Sequence, residues 1–163
     1  MRMKVDLKFI SLLVLLSLLG FGGGYYLKNR PVPEYQPENP DLEIPLDARC
    51  DLNKGDCETS LSGAGKIIFS ILPRPILGVS PLQFSVRLEG LTLRRAVLEL
   101  SGVDMNMGMT RLAMQPDGTG RYVADGSLSV CVRDRMQWRA ELWLDTQSQG
   151  LIKVPYIFTA AKY

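Results

Sequence analysis

The residues with the most chemistry to offer in this 163-residue chain carry sulfur. Met105, Met107 and Met109 stand at alternate positions in Val103-Asp104-Met105-Asn106-Met107-Gly108-Met109. Alternate side chains share a face on an extended backbone, which would space three thioethers by roughly 7 Å along a strand. A bend at Gly108 would bring them closer together. Thioethers are soft, neutral ligands that suit Cu(I) far better than Zn(II) or Mg(II). The plainer reading is that methionine fills gaps in cores and on loose contact surfaces. Cys50, Cys57 and Cys131 add three thiols, and Met136 follows Cys131 closely.

The rest of the composition excludes more than it suggests. The chain has no histidine, which removes the commonest general base and the commonest metal ligand. That argues against a histidine-based hydrolase, an ordinary zinc enzyme and a His-rich Cu(II) site. A net charge of +2 gives no reason to expect nucleic acid as a partner. Phosphate-cradling loops, EF-hand loops and nucleophile elbows are missing. Asp104, Asp117, Asp125 and Asp134 fall at turns, where aspartate serves the backbone. The expectation is a binding protein and not an enzyme.

Between Cys50 and Cys57 lies Asn53-Lys54-Gly55-Asp56, a turn signal. A turn brings the cysteines together, so a Cys50–Cys57 disulfide is expected in a non-cytosolic compartment. The functional alternative is a dithiol that binds a soft metal or exchanges electrons. The spacing is not Cys-x-x-Cys, so a thioredoxin-like site is not indicated.

The elements that must position these sulfurs follow from hydropathy. Residues 7–27 read LKFISLLVLLSLLGFGGGYYL, uncharged from Phe9 onward and about long enough to span a bilayer. Arg2, Lys4 and Lys8 favour an N-terminus (residues 1–6) on the cytoplasmic side, and Tyr25 and Tyr26 suit the far interface. A cleaved signal peptide, cut near Gly22 and Gly24, is the alternative. Residues 28–49 form a linker with Pro31, Pro33, Pro37, Pro40 and Pro45 among acidic residues. Polyproline II at about 3.1 Å per residue would hold a domain up to roughly 50 Å from the membrane.

From residue 50 to 163 the hydrophobic pattern has period two. The inner sets are Ile67/Phe69/Ile71, Leu82/Phe84/Val86/Leu88, Ala96/Leu98/Leu100, Thr110/Leu112/Met114, Tyr122/Ala124, Met136/Trp138/Ala140/Leu142/Leu144 and a last strand over 151–159. Pro155 places that last strand at an edge or bulge. About seven strands between turns predict an all-β fold, an immunoglobulin-like antiparallel β-sandwich preceded by one transmembrane helix. Carrying the alternation back from Met136 puts Leu128, Val130 and Val132 on the core face and Cys131 on the other. If the methionine loop and the Cys131–Met136 turn lie at one end of the sandwich, their sulfurs converge on a single ion.

The anchor, the small β domain, Met105-Asn106-Met107-Gly108-Met109, Gly120-Arg121-Tyr122-Val123-Ala124 and Met136-Gln137-Trp138-Arg139-Ala140 together resemble the FixH/YtkA-like proteins. The resemblance covers residues 65–145. Asn106 stands where that family often has proline, Met136-Gln137 replaces a glycine step, and the three cysteines are additional. The resemblance implies a single-pass protein of the bacterial inner membrane with its C-terminal domain in the periplasm. It implies copper as ligand, with Met105, Met107 and Met109 as copper residues. It implies work with a copper chaperone or cytochrome c oxidase subunits during oxidase assembly. A metal-free structural subunit of a membrane complex and a thiol–disulfide partner of a copper chaperone are the rival functions.

Overall fold

A computed structural model describes residues 39–61, 65–129 and 133–163. Every described residue belongs to one compact unit within Pro37–Tyr163. The expected membrane span at 7–27, most of the expected linker, and Cys131 lie outside the described residues. Among the described residues no helix is long and apolar enough to cross a membrane.

The described unit is all β. Its strands are β1 (Leu42–Glu43), β2 (Cys57–Leu61), β3 (Gly65–Leu72), β4 (Leu82–Glu89), β5 (Leu93–Gly102), β6 (Met109–Pro116), β7 (Arg121–Gly126), β8 (Arg135–Thr146) and β9 (Gly150–Ala161). They form one sheet in the order β1-β9-β8-β5-β6-β7-β4-β3-β2. This corrects the expected sandwich of about seven strands in two ways. The seven alternating segments are β3 to β9, and β1 and β2 are additional. The two expected sheets are one sheet, because β6 pairs with β5 through Met109–Met114 and with β7 through Gln115–Pro116. The sheet is mixed, since β1 runs parallel to β9 while the other pairings are antiparallel. β1 falls inside the stretch expected as linker, so chain pairing begins before residue 50.

Alternation explains why the sheet curls over one core. Ile67, Phe69, Ile71, Phe84, Val86, Leu98, Ala140, Leu142 and Leu144 are all buried, and each sits at an inner position of its strand. The half made of β2, β3, β4 and β7 thereby meets the half made of β5, β8 and β9. Phe69 of β3 stacks on Tyr156 of β9 with ring centroids 4.9 Å apart. The Tyr156 hydroxyl bonds with the Thr59 hydroxyl of β2 at 3.0 Å. Asn53 fastens the same seam. Its amide donates to Thr159 O at 2.8 Å, and its side-chain oxygen accepts from Ile76 N at 2.9 Å.

Pro155 behaves as expected of an edge. In β9 the odd residues turn their backbone toward β1: Asp41 N donates to Leu151 O and Ile44 N donates to Lys153 O, each at 2.9 Å. β1 ends at Glu43, so the missing N–H of Pro155 faces the side where no described strand continues the ladder.

Two titrating groups report on this architecture. Burial pushes the Tyr156 phenol up to about 12, against a smaller opposing effect of the Thr59 hydrogen bond. A raised acid is one whose neutral form the fold prefers. Its contribution is complete below pH 10, the ordinary tyrosine value, and is lost as pH rises from 10 to 12. Ultraviolet titration of the six tyrosines should therefore show one phenol ionising only near pH 12. Its ionisation at the ordinary value of 10 would contradict the buried position. At the Pro116–Gly120 turn, hydrogen bonds from the Thr119 hydroxyl and amide and from Arg121 hold Asp117 at about 2. That contribution is present above the ordinary value of 3.8 and fades as pH falls toward 2.

Candidate functional site

The expected disulfide is present: Cys50 and Cys57 are bridged, with Cα atoms 5.5 Å apart. The turn between them closes locally, with Lys54 N donating to Asp51 O at 2.9 Å and Asn53 N to the Asp51 carboxylate at 3.1 Å. These two sulfurs are thus committed to a structural bond.

The methionine stretch does not form a strand. Residues 103–108 are a loop between β5 and β6, and only Met109 enters β6. Two ties hold the loop to β8: Val103 N donates to Gln137 O, and Gln137 N donates to the Asp104 carboxylate, each at 2.9 Å. A second bend follows, where Gly108 N donates to the Asn106 side-chain oxygen at 3.0 Å. Gly108 has φ +76°, a left-handed conformation that glycine adopts without penalty. Asn106 therefore contributes a side-chain acceptor to the turn, which a proline at that position could not.

This path separates the three methionines. Met105 and Met107 are half-buried and pack against the core. Met109 lies opposite Ser101 on the outer face and is 59% exposed. The expected single face of three thioethers is thus corrected to two and one, because the backbone bends on both sides of Met107.

Met136, near the start of β8, takes the third place. It is buried, and it meets the loop over Gly102, the last residue of β5. A Cβ at Gly102 would overlap the Met136 Cε and the Met105 carbonyl oxygen and would stand 3.3 Å from Met107 Cγ. The absence of a side chain there leaves room for both the Met136 and the Met107 side chains beside Gly102. Met136 also lines a cavity of about 20 Å³ with Ser129, Arg133, Trp138 and Ala160. That is room for a guest about the size of one water molecule.

The geometry therefore brings the side chains of Met107 and Met136 to Gly102 beside the Met105 carbonyl oxygen, turns Met109 outward, and keeps Cys50 and Cys57 apart in their own bridge. Among the described residues no group of three or more His, Cys, Asp or Glu could hold a metal ion. A thioether set fits a soft monovalent ion such as Cu(I) and is a poor match for zinc. Gly102 and Gln137 were not singled out by sequence reasoning. A glycine at a strand end marks a close backbone approach and was the available signal for the first. The second acts through backbone groups, which no residue type announces.

The fold and cluster define a class: a curled all-β domain with buried and half-buried methionines packed at one end of its sheet. No family model matches the chain, and no curated protein matches it. Among solved structures, the crystal structure of an engineered protein is similar over 57% of this chain at 18% identity, with a TM-score of 0.41. This chain spans 20% of that protein's length. A similarity of that degree carries no argument about fold or function.

Proposed function

We propose that this domain binds Cu(I) through Met105, Met107 and Met136, as part of a membrane-anchored periplasmic protein that handles copper during cytochrome c oxidase assembly. The observation that carries this reading is the meeting of Met107 and Met136 over Gly102, with Met105 in the same loop. The apolar run at 7–27 serves as the anchor in this reading, and the facing halves of the sheet stand for the two layers of an immunoglobulin-like sandwich. The resemblance of residues 65–145 to FixH/YtkA-like proteins supports the cellular role. Met109 is a candidate ligand only for an ion in transit, since it points outward.

A competitive Cu(I) titration of the full-length chain, in a Cys131→Ser background to remove the third thiol, tests the proposal. Thioethers need no deprotonation, so affinity should be nearly equal at pH 5 and pH 7, and zinc should not compete. Leucine at 105, 107 and 136 conserves volume and apolarity, so each substitution should cost under about 1.5 kcal/mol of stability. The triple variant should nonetheless lose at least about 100-fold in affinity, because thioether sulfur is the soft donor being removed. Met109→Leu should change affinity less than threefold. Wild-type affinity in the triple variant would sink the proposal.

One observation favours a second reading. Met109 and Val103 are both exposed apolar side chains at this end of the sheet. A partner subunit could cover them without any metal. In that case Met109→Asp would abolish association while copper binding stays absent throughout.

A further inference from the structure

On the outer face of β3, β4 and β7, away from the methionine cluster, an open groove of about 300 Å³ is lined by Ser70, Gln83, Ser85, Arg74, Arg87 and Arg121. We propose that this groove binds the carboxylate or phosphate group of a small organic anion.

The pairing of the strands carries the inference. Arg87 of β4 and Arg121 of β7 are direct cross-strand partners and point to the same face. Like charges directly opposite each other destabilise a sheet. Two guanidinium groups held there provide parallel donors whose natural complement is an oxyanion bound by both. Their neighbours on the same face are Ser70 and Ser85, also direct cross-strand partners. The Ser85 hydroxyl thus lies one step along β4 from the arginine pair.

Charge balance points the same way. Three arginines line the groove against one carboxylate, Asp56. Arg74 is already engaged: its guanidinium donates to Leu52 O at 2.8 Å, to Asp56 and to the Ser70 hydroxyl at 3.0 Å. That network neutralises Asp56 and keeps it from repelling an anion. Arg87 pairs with Glu89 at 3.5 Å and Arg121 with Asp117 at 3.0 Å, and both arginines are about half exposed. Neither Glu89 nor Asp117 lines the groove. The Arg87–Glu89 pair, exposed on both sides, is weak and exchanges readily with an incoming anion, while Arg121 engages Asp117 through its Nε. Ile68 and Leu72 add apolar surface beside the charged end, which suits an anion carried on a small organic body. The site is independent of the copper reading and stands or falls alone.

The test is a nuclear magnetic resonance titration of the full-length chain at low ionic strength, with inorganic phosphate in one arm and glutarate in the other. Saturable shifts confined to residues around Ser85, Arg87 and Arg121 are expected in at least one arm. Saturation by phosphate alone identifies a phosphate group, by glutarate alone a carboxylate, and by both the shared oxyanion chemistry. Arg87→Gln combined with Arg121→Gln should weaken binding at least tenfold. Arg87→Gln alone should leave the thermal midpoint unchanged or raise it, since it relieves the opposed pair. Arg94→Gln, on the other half of the sheet, should bind as wild type. No saturable shift in either arm, or equal binding by the double variant, would overturn the proposal.

Discussion

Phe69→Ala is expected to destabilise the described domain by about 3–5 kcal/mol, which is the usual cost of truncating a fully buried phenylalanine. Phe69 has no exposed surface and stacks on Tyr156 across the seam between the two halves of the sheet. Its loss leaves a cavity that β3 and β9 line together, so neither half can close it by shifting alone. Domains of this size have about 5–15 kcal/mol of stability in total, so the variant should sit near its unfolding threshold. Urea unfolding followed by fluorescence measures this directly, because both tryptophans, Trp138 and Trp143, lie on β8. Tyr156→Phe is the matched control. It keeps the ring contact and removes only the hydroxyl bonded to Thr59, at a cost of about 1 kcal/mol. A Phe69→Ala variant within 1 kcal/mol of wild type would show that the stacked pair does not hold the halves together.

Gly102→Ala should impair the methionine cluster although it replaces none of the methionines. The new methyl group would overlap a side-chain end and a backbone oxygen. The Met136 Cε can rotate away at little cost. The Met105 carbonyl cannot, because the adjoining residues Val103 and Asp104 are both tied to Gln137. The loop must move as a unit, and overpacking of this kind costs about 1–3 kcal/mol. A smaller gain of about 0.4–1 kcal/mol from the stiffer unfolded chain offsets part of it. Cu(I) affinity should fall at least about tenfold, because displaced ligands lose the geometry that makes a site. Gly55→Ala separates this from a general effect of replacing glycine: nothing lies within 4 Å of a Cβ there. It should leave copper binding unchanged and raise stability by about 0.4–1 kcal/mol through the stiffer unfolded chain. If Gly102→Ala behaves like Gly55→Ala, the loop is not held as described and the cluster is not a built site.

How much of this was readable from the amino-acid sequence depends on the range of the interaction. Strands β3 to β9 were legible because each carries its own record of burial, with inner residues recurring at every second position. Met136, Trp138, Ala140, Leu142 and Leu144 all face the core as that spacing requires. The Cys50–Cys57 bridge was legible because the residues between them form a turn whatever lies around it. β1 and β2 were not. Two residues carry no period, and Cys57–Leu61 has buried side chains only at its two ends.

The tertiary structure alone decided what these elements do together. Period two cannot say whether seven strands make two sheets or one, because that rests on β6 reaching past its hairpin partner to β7. It cannot foresee outer-face burial, as at Ile68, Ser70 and Glu99, since covering that face is a matter of neighbours and not of alternation. Glu99 is tolerated there because Arg111, opposite it on β6, pairs with it. The methionines show the same division. Their residue type restricted the chemistry to soft ligands or apolar packing from the start. Which of them meet was settled by a missing Cβ at Gly102, the backbone groups of Gln137 and the Asn106–Gly108 turn, all acting between residues that the spacing of Met105, Met107 and Met109 does not include.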